Sequence, residues 1–534
     1  MDNHLQSDGP DSGKGAFFSP EAVRGVPWMV LSKLVLFFAY FGVSVLTVNG
    51  LGKEKFGVYS LMFNISSYLL IACGLGLGAA LMRYVPELAA RQNRHALLHL
   101  MWKSATLQLL AVLGASVVVL RFAGPLQRLF HAEHIERFPF FLALACGMTG
   151  LLLLKDYVAT VFTSMFKTRT VAILSMVQGA VWLAGLYVLL GARPEVDTVF
   201  FIQMLSIGVV YAVGAALLFR RVTQLPWTTQ EFGIGRRRAL KFSGTAMLSA
   251  ILRMVMFKYS EVFFLAAAGG ATLAGVYDLG YTLPYTVVTF IPLALLSLAT
   301  AAFAEAYVKD ASCLGRLISS SYKLLMAASL PVAVLGAFFA PTAYHVIYRG
   351  EMDEAGSLAS AFCLLLLLPL VSIPLSMALK AKEKVHNMLP MMAFQIVVNL
   401  FLDWLLIVQL QWGVWGGIWA VAATFFLTIT PRMMVARHII GGIYFPAAFF
   451  FRMATVLTLE AAAFHWVAGR LRLFERFEQD WINIGLLFGI GALYAVLFLL
   501  LVRAFRLVRQ SDIADFQALE IKRLNKLMFR VFGV

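Results

Sequence analysis

Apolar stretches of about 20 residues recur from position 27 to position 504, and they leave this chain almost no choice of secondary structure. Each is long enough to cross a hydrocarbon core of about 30 Å as an α-helix. In lipid, every backbone N–H and C=O must find a partner inside the protein, which only helices and closed barrels achieve. The runs are about twice the length of a barrel strand, so helices are predicted. Fourteen spans are expected, at 27–50, 56–80, 97–120, 138–162, 170–192, 197–220, 241–267, 271–298, 319–342, 356–379, 387–410, 413–434, 447–468 and 481–504. Charged residues make up 13% of the chain, against about 25% in soluble domains. The fold class predicted is an all-α polytopic membrane protein. The polar first 26 residues lead straight into a full-length span, so no cleaved signal peptide is expected.

Charge sets the orientation. With the N-terminus inside, 30 of the 44 Lys and Arg residues fall on the cytoplasmic side and 10 on the external side. The other four, Lys33, Lys155, Arg253 and Lys258, are assigned to the spans, with the remaining basic residues at inner span ends counted as cytoplasmic. Basic residues gather in cytoplasmic loops, so both termini are expected in the cytoplasm. The densest runs, GRRRALK at 235–241 and the tail beyond Leu501, share that side. The net charge of +16 is spread over helix ends rather than gathered in one patch. Anionic phospholipid headgroups, not nucleic acid, are therefore the expected electrostatic partner. In the tail, Ile521, Leu524, Met528 and Val531 recur at helical spacing opposite Lys522, Arg523, Lys526 and Arg530. That pattern suits an amphipathic helix on the inner leaflet, or a tail packed on the protein. The four cysteines show no metal-ligating or disulfide spacing. GPDSGKG near the N-terminus lacks the first glycine, the strand and the Ser/Thr of a phosphate loop. No cofactor is expected.

The chain repeats itself. Gly57-Val58-Tyr59 with Leu61 returns 218 positions later as Gly275-Val276-Tyr277 with Leu279, and Glu87 returns as Glu305. The copies begin after span 1 and span 7, six spans apart, so both have the same orientation. A parallel repeat of this kind implies two bundles related by an axis along the membrane normal. The resulting organisation is a cytoplasmic tail over 1–26, a six-helix bundle over 27–220 and a basic linker over 221–240. A second six-helix bundle over 241–435, two additional spans over 436–505 and the amphipathic tail over 506–534 complete it.

With these features in place, the segment LGKEKFGVYSLMF…GLGLGAALMRYVPELAARQN (51–93) resembles the polysaccharide-flippase branch of the multidrug/oligosaccharidyl-lipid/polysaccharide exporter superfamily. So does SMALKAKEKVHNMLPMMAFQIVVNLFLDWLLI (376–407) followed by WGVWGGIWAVAATFF (412–426). Asn399, Gly413, Gly416 and Ala420 stand where such proteins carry an Asn-containing helix and a small-residue helix start. The resemblance implies two bundles around a central cavity, alternating access, and export of lipid-linked sugars without ATP hydrolysis.

Charges inside spans cost about 2.5–3.5 kcal/mol each at helix centre, which makes them the candidate site. Span 7 carries Arg253, Lys258 and Glu261 within an arc of about 140°. Lys33 sits about 9 Å from the inner end of span 1, where snorkelling competes with a cavity role. Lys155 and Asp156 in span 4 could form a local pair. Asp278, Asp403 and Glu460 are acids in the outer halves of their spans. The substrate-binding cations expected are Lys33, Lys155, Arg253 and Lys258; Asp156, Glu261 and Asp278 are the coupling or ion-pair carboxylates. Lys258 would hold Glu261 ionised and leave Asp278 as the titrating group. Pro284, Pro292, Pro331, Pro369 and Pro374 cluster in spans 8 to 10 as candidate bending points.

A cationic cavity suits an undecaprenyl-diphosphate-linked glycan, whose diphosphate a lysine or the fork of an arginine would bind. The function expected is a flippase for that cargo in the bacterial inner membrane, working beside glycosyltransferases or a polymerase of the same pathway. Two alternatives stay open: a drug or metabolite antiporter, and a non-transporting subunit of a polysaccharide synthesis complex. Enzymes of such pathways carry catalytic residues on sizeable external loops, which this chain lacks, so no enzymatic activity is expected.

Overall fold

The computed structural model describes residues 20–90, 93–165, 167–224, 243–248, 250–252, 260–309, 314–382, 389–471, 474 and 480–505. Arg253, Lys258, the GRRRALK run and the amphipathic pattern at 521–531 lie outside the described residues. The first half of the chain contributes α1 (Pro20–Gly74), α2 (Leu77–Ala90), α3 (Arg94–Arg121), α4 (Phe138–Ser164), α5 (Thr168–Leu189) and α6 (Val196–Thr223). The second contributes α7 (Ser260–Lys309), α8 (Leu314–Ile347), α9 (Asp353–Leu365), α10 (Leu389–Asp403) and α11 (Gly413–Ile440). A final pair, α12 (Ala447–Arg470) and α13 (Asp480–Ala504), follows.

Among the described residues, twelve helices are long and apolar enough to cross a membrane. The turns expected near 51–55 and 268–270 are single glycine breaks inside continuous helical runs. A straight helix of the 55 residues of α1 would be about 80 Å long, far beyond the bilayer core. It breaks at Gly52 (φ 74°, ψ 171°), and α7 breaks at Gly270 (φ 83°, ψ 178°). That backbone conformation is essentially restricted to glycine. The two breaks are themselves 218 residues apart, so the repeat extends beyond the GVYxL echo that revealed it. The span after α8 is also cut, into α9, Leu367–Val371 and Ile373–Ala381, with Pro369 and Pro374 inside the two short pieces.

The repeated glycines are explained by packing. A Cβ on Gly275 would lie 2.6 Å from the Cα of Gly57, and one on Gly57 would lie 2.6 Å from the carbonyl oxygen of Ala271. The two helices cross backbone to backbone, an approach open only to residues without side chains. Around the crossing, Val58, Tyr59, Leu61, Val276, Tyr277 and Leu279 are all buried.

Loops gather on two faces. On the face holding Gly52 and Gly270, Lys55 pairs with Glu195 at 2.8 Å, Lys53 with Glu354 at 3.3 Å, and Asn49 donates to the carbonyl of Ile347 at 3.0 Å. On the opposite face Lys382 donates to the carbonyl of Ile439 at 2.9 Å. Between the faces the surface is apolar. On α6, Phe201, Leu205, Val209 and Val213 form an exposed stripe, while Gln203, Ser206 and Tyr211 are buried. This inside-out distribution fits a lipid solvent. α12 and α13 dock on α8 through Met453, Leu457, Tyr494 and Phe498 against Tyr322, Met326 and Leu330.

Candidate functional site

Among the described residues, three polar groups hold the carboxylates and the lysine singled out from the sequence. In the first half, α4 carries Lys155, whose Nζ donates to Tyr40 Oη at 3.3 Å and to Gln178 Oε1 at 3.4 Å. Gln178, on α5, is 1% exposed and donates in turn to Ser206 Oγ of α6 at 3.5 Å. Tyr40 stands edge-on to Trp182 at 5.6 Å, and Ser175 bonds Tyr211 at 3.2 Å beside them. Four helices thus converge on one ammonium, and its hydrogen-bond partners are neutral. Asp156 is the next residue, but lies 100° round the helix; it is exposed and makes no ion pair with Lys155. Lys33 lies two turns from Tyr40 on the same face of α1 and is exposed.

The second group is acidic and fully buried. Glu261, at the start of α7, is 0% exposed and accepts from Asn399 Nδ2 at 3.2 Å. The Oδ1 of Asn399 accepts from Ser260 Oγ at 3.2 Å. Asp403, one turn beyond Asn399 on α10, is within electrostatic range of Glu261. Among the described residues, Glu261 Oε2 and the Tyr277 hydroxyl have no hydrogen-bond partner, and the Ser260 hydroxyl stands within reach of both carboxylates. The Tyr277 ring rests on α11 where Gly417 leaves room; a Cβ there would lie 2.8 Å from it. Two buried carboxylates facing one another need a positive charge between them. The chemistry of the set suits a shared proton or a small cation held by hard oxygens.

The third group ties the halves together. Ser60 Oγ donates to Asp278 Oδ2 at 2.6 Å, and Thr282 Oγ1 donates to Asp278 Oδ1 at 3.2 Å. Asn64 Nδ2 donates back to the Ser60 carbonyl at 2.8 Å. Nearer the Gly52 face, Ser44 and the Tyr348 hydroxyl bond at 3.1 Å. Together with Asn49–Ile347, Lys53–Glu354 and the Gly57–Gly275 crossing, these contacts close that face.

The carboxylates singled out from the sequence are therefore separated by the break at Gly270. Glu261 faces Asn399 and Asp403, whereas Asp278 faces Ser60. Sequence reasoning missed Tyr40 and Gln178, which reach Lys155 from distant spans. It also missed Arg432, whose Nη2 donates to Gln395 Oε1 at 2.6 Å between α10 and α11. A signal existed: Gln395, Asn399 and Asp403 recur every fourth residue in an otherwise apolar helix, and so do Thr424, Thr428 and Arg432.

A sequence profile for a family described as polysaccharide biosynthesis protein matches residues 22–304. Comparison with curated proteins finds no sequence match. Among solved structures, one of the lipid II flippase MurJ in an inward closed conformation superposes with a TM-score of 0.65 at 12% identity, over 90% of this chain and 99% of that one. An inward-facing multidrug resistance MATE family transporter gives 0.62 at 14% identity, over 78% and 98%. A superfamily transporter from Pyrococcus furiosus, titled as having reversed binding-pocket polarity, gives 0.56 at 15%, over 79% and 96%. At such identities these likenesses establish the fold.

Proposed function

The chain belongs to the polysaccharide biosynthesis protein family of the multidrug/oligosaccharidyl-lipid/polysaccharide exporter superfamily, and on that premise we propose that it is a flippase for a lipid-linked glycan. The family is one of membrane transporters rather than enzymes. The observation that carries the cargo reading is Lys155, an ammonium hydrogen-bonded to the neutral groups of Tyr40 and Gln178, with Asp156 acting on it electrostatically but forming no direct ion pair with it. A diphosphate supplies the missing negative charge, and the hydroxyls, amide and aromatic faces beside it suit a sugar. Lys33, two turns along α1 from Tyr40, is a further proposed cargo cation, and Arg253 and Lys258, outside the described residues, are proposed on their sequence alone.

In this reading the protein works by alternating access between two six-helix bundles, over fourteen spans with both termini cytoplasmic, and the internal repeat supports the two-bundle arrangement. Gly52/Gly270, Gly57/Gly275 and Ser60/Asp278 share one 218-residue offset, and the last two pairs touch, as residues near a two-fold axis must. The Gly52 face, which the basic-residue bias assigns to the outside, is closed. The acid pair of Glu261 and Asp403 is the proposed binding point of the coupling ion. Asp278, bonded across the halves, links the state of that ion to the outer closure.

Purified protein in proteoliposomes, given a fluorescent undecaprenyl-diphosphate oligosaccharide, tests the reading. Wild-type protein should move it across the bilayer, and Lys155→Gln should do so much more slowly. Transport of cationic dyes without glycan flipping would favour the antiporter instead; transport of neither would favour the non-transporting subunit.

A further inference from the structure

Arg432 on α11 bonds Gln395 of α10, and its position relative to the acid pair is specific. On α10, Gln395, Asn399 and Asp403 are 1%, 2% and 0% exposed and share one face. On α11, Thr424 and Thr428 are 3% and 4% exposed and share a face with Arg432. The Arg432–Gln395 bond sets the register of the two antiparallel helices. Eight residues along α10 from Gln395 is Asp403, and eight residues along α11 from Arg432 is Thr424, so both lie about 12 Å away. Asn399 and Thr428 stand halfway. The result is a buried polar strip between two helices whose outer faces carry Phe401, Trp419 and Phe426. Several of its groups have unused hydrogen-bonding capacity: Gln395 Nε2 and Thr424 Oγ1 lack partners, and the Asp403 carboxylate, reached by the Ser260 hydroxyl, keeps further lone pairs. Thr428 donates its proton to the Thr424 carbonyl at 2.7 Å, which leaves its oxygen lone pairs free.

We propose that this strip is the route by which a small cation leaves the Glu261–Asp403 pair toward the face opposite Gly52, and that Arg432 gates its far end. The inference rests on the coupling reading above. A migrating cation needs oxygen ligands at each helical turn, and the strip offers them at three successive levels. Its end is occupied by a fixed positive charge, which opposes passage while Arg432 stays bonded to Gln395. Arg432 is only half-buried, on a long side chain able to swing away. At about 12 Å and an effective dielectric of about 20, its charge lowers cation affinity at the acid pair about tenfold.

Full-length protein in nanodiscs and proteoliposomes tests this with two probes, radioactive Na+ binding and dye-reported proton uptake, which distinguish a metal cation from a proton. Arg432→Gln keeps an amide beside Gln395 but removes the charge. Ion affinity should rise about tenfold by the same Coulomb argument, and downhill ion leak should increase; Arg432→Lys should restore wild-type values. Thr428→Val, nearly isosteric, should slow ion exchange without changing affinity. A purely structural Arg432 would predict lower stability with neither tighter binding nor leak. If Glu261→Gln and Asp403→Asn abolish ion binding while Arg432→Gln and Thr428→Val change neither affinity nor exchange, the gate is refuted and the coupling site stands. If wild-type protein binds neither ion, or the acid variants bind normally, the coupling reading fails and the gate with it.

Discussion

Gly275→Ala is the sharpest perturbation of the proposed outer closure. Its methyl carbon would arrive 2.6 Å from the Cα of Gly57, with the Gly57 nitrogen at 3.2 Å. Carbon atoms settle at about 3.5–4.0 Å, so the helices must part by about 1 Å at their crossing. The obstruction is backbone, so no rotamer change relieves it. Overpacking of this kind costs about 1–3 kcal/mol, and the cost falls only on the conformer in which the crossing is closed. The closed population should therefore drop about five- to 150-fold relative to an open one. Spin labels on a Lys53→Cys/Glu354→Cys pair, in a background without native cysteines, read that population directly, because those side chains meet at 3.3 Å in the closed form. Double electron–electron resonance should show a second, longer distance in Gly275→Ala. Gly114→Ala is the control, since a Cβ there meets nothing within 4 Å. A folded Gly275→Ala protein with an unchanged distance distribution would refute the view that this crossing opens during transport.

Three further outcomes are expected. Lys155→Gln should slow glycan flipping by about 10- to 100-fold, the cost of losing a charged hydrogen-bond donor of about 1.5–3 kcal/mol, with unchanged expression and thermal stability by fluorescence-detected chromatography. Asp278→Asn should weaken the bond from Ser60 and uncouple flipping from an imposed ion gradient while cargo binding persists, measured in proteoliposomes with and without the gradient. Cysteines placed at Glu195, Glu351 and Gln411 should label with impermeant reagents from outside, and those at Arg237 and Lys382 only after permeabilisation; the reverse pattern would invert the proposed orientation.

Span existence was legible because hydropathy is a local property. The positions of the two breaks were legible too, because Lys53, Glu54 and Lys55 follow Gly52 and a glycine pair ends the run before Ala271, but not that each turn is a single glycine inside a continuous helical run. The GVYxL echo located the repeat correctly but could not reveal that its two copies touch each other. Lys155 was visible beside Asp156 as a charge in α4, yet Tyr40, Gln178 and Ser206 come from three other helices, and no spacing rule connects them. Glu261 and Asp278 looked like neighbours on consecutive spans. The break sends them to different partners, one to α10 and one to α1. Arg432 was hidden for a different reason: near a helix end it reads as one more positive-inside charge, and only the Gln395 bond shows that it turns back into the interior.

The Ser60–Asp278 pair shows what divergence of the halves accomplishes. On an exact two-fold both positions would carry the same residue. Two aspartates within hydrogen-bond range would repel in a buried site. Two serines would give a neutral bond of only about 0.5–1.5 kcal/mol. With serine on one side and aspartate on the other, the contact becomes a charge-assisted O–H···O bond, and its 2.6 Å length falls in the range of about 2.5–2.7 Å expected for one. The contact between the halves is thus stronger than either identical pair would make it. The same asymmetry runs through the rest of the interior, with the ammonium of Lys155 in the first half and the carboxylates of Glu261 and Asp403 in the second. Anionic cargo and coupling cation would then act on opposite halves, and the crossing at Gly57 and Gly275 is where the two effects meet.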